Sequence, residues 1–199
     1  TYNSSTGVWN YIGSVTNLNT ALANLTFNPA TNNDVSTTIN VSIDDGDEDA
    51  SGALTGTISL NVTAANDAPT ATNLTSTASY NEGDATVAIN DIVVSDVDSA
   101  DVITANLTLA NTTTGSLSAN DGATYNGTTG VWSFTGTVDN INTALANLVY
   151  TPRTNNHVNT TIAVSIDDGD EDASGALTGT ISLNVTAAND APTATNLTS

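Results

Sequence analysis

The 199-residue chain contains no cysteine, no methionine and no lysine, and Arg153 is its only basic side chain apart from one histidine, His157. Without cysteine there is neither a disulfide nor a thiolate metal site, so stability must come from another source. Twenty-one acids against that one arginine give a formal charge of −20. Such a chain repels phosphate backbones and anionic lipid surfaces, which argues against nucleic-acid partners. No apolar run approaches the ~20 residues that a membrane span requires, so direct membrane insertion is not expected. No signal-peptide pattern opens the chain, which reads as an internal piece of something longer. Aromatic residues make up only 5%. The core must therefore be built from Ala, Val, Ile and Leu. Thr and Asn dominate the polar residues, and both favour strands and turns over helix interiors.

What the chain does have is a repeat. Residues 41–76 and 164–199 are identical, and the match extends back to Thr1, which aligns with Thr124 at an offset of 123 residues. Across those 76 ungapped positions there are fifteen differences. The period is too long for a solenoid turn and suits a whole domain. The expected division is 1–66 as the C-terminal part of one repeat with its first strands missing, 67–189 as a complete repeat, and 190–199 as the start of the next. Near-identical tandem copies suit a protein whose work depends on copy number, and argue against an enzyme with one unique active site.

Alternating apolar residues predict strands at 70–80, 85–95, 102–110, 160–166 and 175–187, separated by polar turns. Residues 7–13, and their counterparts 130–136, predict a short strand in which Trp132 and Phe134 share one face as core. The single helical pattern is Leu18, Leu22 and Leu25, repeated as Ile141, Leu145 and Leu148. Thr16 and Asp139 stand where an N-cap is expected, and Pro29 and Pro152 follow. Short strands with one small helix per unit predict an all-β fold, tandem antiparallel immunoglobulin-like sandwiches with a short crossover helix in each. Ala64 to Pro69 reads as a stiff connector.

The acids are clustered. One run is Asp167, Asp168, Asp170, Glu171 and Asp172, duplicated as Asp44, Asp45, Asp47, Glu48 and Asp49. A second is Asp96, Asp98 and Asp101. Strands alternate in direction, so the loop after the second strand and the loop before the last reach the same end of the sandwich as the entering Asn66 and Asp67. Glu82 goes to the opposite end, near Asn189 and Asp190. Carboxylates gathered in this way repel unless a cation lies between them, and Ca²⁺ accepts 6–8 such oxygens without fixed geometry. Solvated loops on an acid-rich surface are the alternative reading.

Asn66, Asp67, Ala68 and Pro69 resemble the cadherin inter-domain linker. Residues 164–169 resemble the cadherin strand-to-loop motif with its calcium aspartate, Asp96 and Asp98 its Asp-x-Asp pair, and Glu82 its early glutamate. More narrowly, the chain looks like the cadherin-like extender repeats of large bacterial adhesins of the RTX and biofilm-associated types, which also carry segments like residues 142–148 and 66–69. No match to the family's Asp-Arg-Glu type motif is present. The resemblance implies a secreted, cell-surface stalk whose partners are neighbouring repeats, stiffened by Ca²⁺ at their junctions, with the adhesion target bound elsewhere in the full protein.

Two other functions remain to be weighed. A sugar-, peptide- or ice-binding module would use the Thr-rich strands, although no regular Thr array or set of exposed aromatics is evident. A glycosidase would need paired carboxylates, and here the candidates are duplicated without a basic partner. His157 is Asp34 in the other copy, which argues against a shared role for it. The shortened first repeat predicts a gap explained by cleavage, by disorder or by a strand shared with a neighbouring molecule.

Overall fold

The computed structural model describes residues 1–46, 52–98, 101–169, 175–192 and 194. They fall into two units, Thr1–Ala65 and Asn66–Ser199.

In the second unit the strands are β5 (Thr70–Ala71), β6 (Ser76–Asn81), β7 (Val87–Ala88), β8 (Val94–Ser95), β9 (Ile103–Leu109), β10 (Gly115–Leu117), β11 (Thr124–Asn126), β12 (Val131–Gly136), β13 (Val149–Pro152), β14 (Thr160–Asp167) and β15 (Leu177–Thr186); numbers below β5 belong to the first unit. Six of them form one sheet in the order β11-β12-β9-β14-β15-β6, and β10-β13-β7 form a second. A short β5-β8 ladder stands apart. Alternation sets which side chains go in. Along β9, Ile103, Ala105, Leu107 and Leu109 are buried while the residues between them are half-exposed. Ile162, Val164 and Ile166 of β14 and Ile181 and Leu183 of β15 extend that face. Tyr80 of the large sheet meets Tyr150 of the small one edge to face, ring centroids 5.8 Å apart. The unit is therefore a two-layer β-sandwich with an immunoglobulin-like, all-β architecture.

The chain passes from β12 of the large sheet to β13 of the small one through the helix Val138–Ala146, which packs against β12, β9 and β8 and presents Ile141, Ala144 and Leu145 to the core, with Leu148 buried just beyond its end. The helix lies where the leucine spacing places it, but its N-cap is Thr137, two residues before Asp139. Asp139 sits instead in the first turn, where a carboxylate favours the helix dipole. Trp132 is fully buried, and Phe134 packs partly against the same core.

Three expectations about the strands also need correction. The strand expected at 70–80 divides into β5 and β6 around Asn73, which has φ +57° and donates through Nδ2 to the Asp91 carbonyl at 2.7 Å. The strand expected at 85–95 likewise divides into β7 and β8. The sandwich is also not wholly antiparallel, because β6 pairs with β15 in parallel, Ile181 opposite Ser76. Both of those strands run from the entry end to the exit end, so their neighbourhood requires it.

The first unit contains β1 (Tyr2–Asn3), β2 (Val8–Trp9), α1 (Val15–Ala23), β3 (Thr37–Ile43) and β4 (Leu54–Leu60). The Val138–Ala146 helix is α2. Among the described residues of the first unit, β1 pairs with β2 and β3 with β4. Ser14 caps α1, two residues before Thr16, accepting from the Asn17 N–H at 3.4 Å.

Candidate metal centre

The loops at the entry end of the second unit are positioned by strand ends. β8 finishes at Ser95, and the chain turns at once, with the Asp98 N–H donating to Oδ1 of Asp96 at 3.0 Å. The Asp101 N–H returns to the Asp98 carbonyl at 3.0 Å. These are the Asx and backbone turns expected of such a loop. β14 finishes at Asp167, whose Oδ1 accepts the Gly169 N–H at 2.8 Å and turns the chain so that Asp168 follows.

The connector completes the set. Asn66 donates through Nδ2 to Oδ2 of Asp168 at 3.0 Å, across 102 residues. The backbone N–H of Asp67 donates to Oδ2 of Asp98 at 2.7 Å. Pro69, just beyond, is buried. Among the described residues, Asp96, Asp101 and Asp168 each offer a carboxylate oxygen, and these oxygens lie within 4.8 Å of one another. All three side chains are half-buried. Oδ2 of Asp96 is enclosed and accepts no hydrogen bond. A buried acceptor of this kind costs free energy unless a donor or a cation meets it.

The donor set can be tested against a cation directly. Two oxygens on opposite sides of a Ca²⁺ ion lie about 4.6–5.2 Å apart, given bonds of 2.3–2.6 Å, so a spread of 4.8 Å fits around one ion. The donors in this cluster are carboxylate oxygens, which are hard ligands, and no His or Cys is among them. The set fits Ca²⁺ and does not fit zinc or copper.

The entry end thus gathers Asn66, Asp67, Asp96, Asp98, Asp101 and Asp168. Asp167 stands beside them as a turn-former. At the exit end, Oε2 of Glu82 accepts the Ala188 N–H at 2.9 Å, and the Glu82 N–H donates to the Thr186 carbonyl at 2.9 Å. Asn189 and Asp190 follow immediately, both exposed, the Asn189 side chain donating to the Asp190 carbonyl at 3.2 Å. In the first unit Asp44 and Asp45 are exposed, and Asp44 repeats the Asx turn by accepting the Gly46 N–H at 2.9 Å. Asp47, Asp49, Asp170 and Asp172 lie outside the described residues.

One side chain with a positioning role was not singled out from the sequence. Asn142 on α2 receives the Val94 N–H on Oδ1 at 2.8 Å and donates to the Val94 carbonyl at 2.9 Å. It clamps β8 two residues before Asp96. A polar residue next to Ile141 on the inward side of the helix was the available signal.

No protein-family model matches the sequence, and no curated protein matches it. Among solved structures the chain is similar to that of the titin domains z1z2 in complex with telethonin, at 15% identity and a TM-score of 0.36. The similarity covers 71% of this chain and 58% of that one, and at this level no functional argument follows from it.

Proposed function

We propose that the protein is a calcium-stiffened extender, a run of β-sandwich repeats in the stalk of a secreted bacterial cell-surface adhesin, and that it has no catalytic role. The observation that carries the reading is the gathering of Asp96, Asp101 and Asp168 within 4.8 Å, on loops to which the connector residues Asn66 and Asp67 are hydrogen-bonded. Asp96, Asp101 and Asp168 would hold a Ca²⁺ ion, with Asp98 and the connector beside it. The ion would supply the positive charge that three neighbouring carboxylates lack, and would tie the connector to the sandwich. The near-identity of the repeats supports a spacer, whose length is set by copy number, and its partners are then neighbouring repeats of the same chain.

The energetics suit an extracellular setting. Ion binding to the folded unit alone stabilises it by RT ln(1 + [L]/Kd), ~2.7 kcal/mol at a hundredfold excess of ligand. Extracellular calcium modules have Kd near ~10⁻⁴–10⁻³ M, which cytosolic calcium would not fill.

The test is a pair of thermal melts of the full chain, one in millimolar Ca²⁺ and one in EDTA, with small-angle scattering in the same buffers. A melting temperature higher in Ca²⁺, with the difference abolished in Asp96→Asn and Asp168→Asn, supports the reading. Superimposable melts and scattering profiles in the two buffers would mean that the acidic loops are merely solvated.

A further inference from the structure

The turn between β11 and β12 holds the chain's only Asn-Gly pair, Asn126 and Gly127, both exposed. Oδ1 of Asn126 accepts the N–H of Thr128 at 3.0 Å and that of Thr129 at 3.2 Å, which holds the side chain over the turn. The Gly127 N–H, one residue closer, meets no acceptor among the described residues, and Nδ2 of Asn126 donates to none of them. The main-chain carbonyl of Asn126 accepts the Gly130 N–H at 2.8 Å, and Gly130, at φ +75°, turns the chain back into β12.

These parts suit one reaction. The backbone nitrogen after an asparagine reaches that side chain's Cγ by closing a five-membered ring, and glycine, lacking Cβ, hinders the approach least. Negative charge then collects on Oδ1, where the Thr128 and Thr129 N–H groups already point, as donors do in an oxyanion hole. The first unit provides the contrast. There the Gly7 N–H closes a similar turn on the Asn3 carbonyl at 2.9 Å, and the Ser5 N–H donates to Oδ1 of Asn3 at 3.0 Å. Residue 4, however, is serine, whose Cβ crowds the attacking nitrogen.

We propose that Asn126 is a self-modification site, at which the folded chain converts its own side-chain amide to a carboxylate with water as the only co-reactant. The Gly127 nitrogen gives its proton to hydroxide and bonds to Cγ of Asn126. The Cγ–Nδ2 bond breaks, and Nδ2 leaves as ammonia with a proton taken from water. Water then opens the resulting succinimide. Addition at Cγ leaves an aspartyl residue, whereas addition at the main-chain carbonyl leaves an isoaspartyl residue, whose backbone runs through Cβ and Cγ. Either product adds one negative charge. The isoaspartyl form also lengthens the main chain within the turn that pairs Asn126 with Val131. β11 has three residues and lies at the edge of its sheet beside β12, so it is the strand that this change releases. The proposal stands independently of the calcium reading.

The test ages the 199-residue chain in mildly alkaline buffer and follows its peptides by mass spectrometry, since exchange of NH2 for OH raises their mass. Peptides spanning residues 1–8 and 124–131 differ at positions 4 and 5 against 127 and 128, and are read separately. Asn126 should convert about 10-fold or more faster than Asn3. Gly127 has no positive φ, so Gly127→Ser fits the turn and should slow position 126 to the rate of Asn3. Equal rates at Asn126 and Asn3, or no slowing in Gly127→Ser, would overturn the proposal. Hydrogen exchange of the aged forms, separated by anion exchange, is the second measurement. Amides of residues 124–126 should exchange about 10-fold or more faster in the isoaspartyl form, as a strand freed from a sheet edge does. Freshly prepared Asn126→Asp, which adds the charge without lengthening the chain, should keep the parent's protection. Unchanged protection of β11 in the isoaspartyl form would overturn its release.

Discussion

The backbone N–H of Asp67 donates to Oδ2 of Asp98 at 2.7 Å, so the residue at which the connector joins the sandwich is tied to the loop that follows β8. The same Asp98 donates its own N–H to Asp96. One residue therefore links the connector to the carboxylate cluster, and connector geometry and cluster geometry are set together. A cation held by the cluster would act on the connector through this contact.

Asp98→Ala removes a charge-assisted acceptor worth about 1–2 kcal/mol in a half-buried setting. The expected outcome is faster hydrogen exchange at Asp67 with a melting temperature lowered by a few degrees. Asp98→Asn keeps an acceptor oxygen and should preserve protection at Asp67. Equal exchange at Asp67 in all three proteins would remove Asp98 from this role.

Asn142 offers a cleaner stability test. Asn142→Ala leaves both the N–H and the carbonyl of Val94 without their partner, a loss of about 2–3 kcal/mol. For a domain of this size that lowers the melting temperature by roughly 5–12 °C. Its counterpart Asn19 has no equivalent of Val94 within residues 1–65, so Asn19→Ala should leave the transition unmoved. Calorimetry of the two variants separates them.

Much of this arrangement was legible in the residue order, and the exceptions share a cause. β9, β14 and β15 follow from strict alternation over seven or more residues, each with one buried face. The meeting of the Asp96 loop with the Asp168 loop follows from strand direction alone. The breaks in the first two strands were not legible, because they depend on distant contacts. Asn73 leaves the extended region where its side chain finds Asp91, 18 residues away. The capping positions were misplaced by two residues because Thr, Ser and Asp are all acceptable caps, and the choice falls to where the preceding strand ends. The clamp of Asn142 on Val94 spans 48 residues, so the local pattern that marks Asn142 as an inward polar residue does not identify its partner.

Alkaline pH probes the core. Burial, the largest cause, raises the Tyr150 phenol well above its ordinary value of 10.0, and burial moves Tyr125 in the same direction. A pKa raised by folding contributes stability that is fully present below the unfolded value, near pH 10, and is lost as pH rises beyond it. Stability should therefore fall in alkali as the unfolded state gains phenolate. Tyr150→Phe places at 150 the residue already present at Phe27, and it should match the parent within about 1 kcal/mol at neutral pH. Above about pH 10 it should melt higher than the parent, with Tyr125 leaving some residual dependence. Parallel melting curves against pH for the two proteins would contradict this.

Gly179 and Gly56 are the same residue of the same strand in two copies, and their surroundings predict opposite responses. A methyl group at 179 meets the Leu74 carbonyl, a backbone atom that cannot swing aside, and Gly179→Ala must push β15 and the Leu74 segment apart. Overpacking of this kind costs about 1–3 kcal/mol, enough to lower the second unit's melting temperature by roughly 3–12 °C. At 56 the same methyl enters open space without a positive φ. There Gly56→Ala restricts the unfolded chain and should be neutral or stabilising by up to about 1 kcal/mol in the 199-residue protein. Calorimetry of the paired variants checks both signs at once. A loss of similar size at the two positions would mean that β4 is already covered, and would undo the contrast between the units; a loss at 179 alone locates the covering backbone where the second unit has it and the first does not.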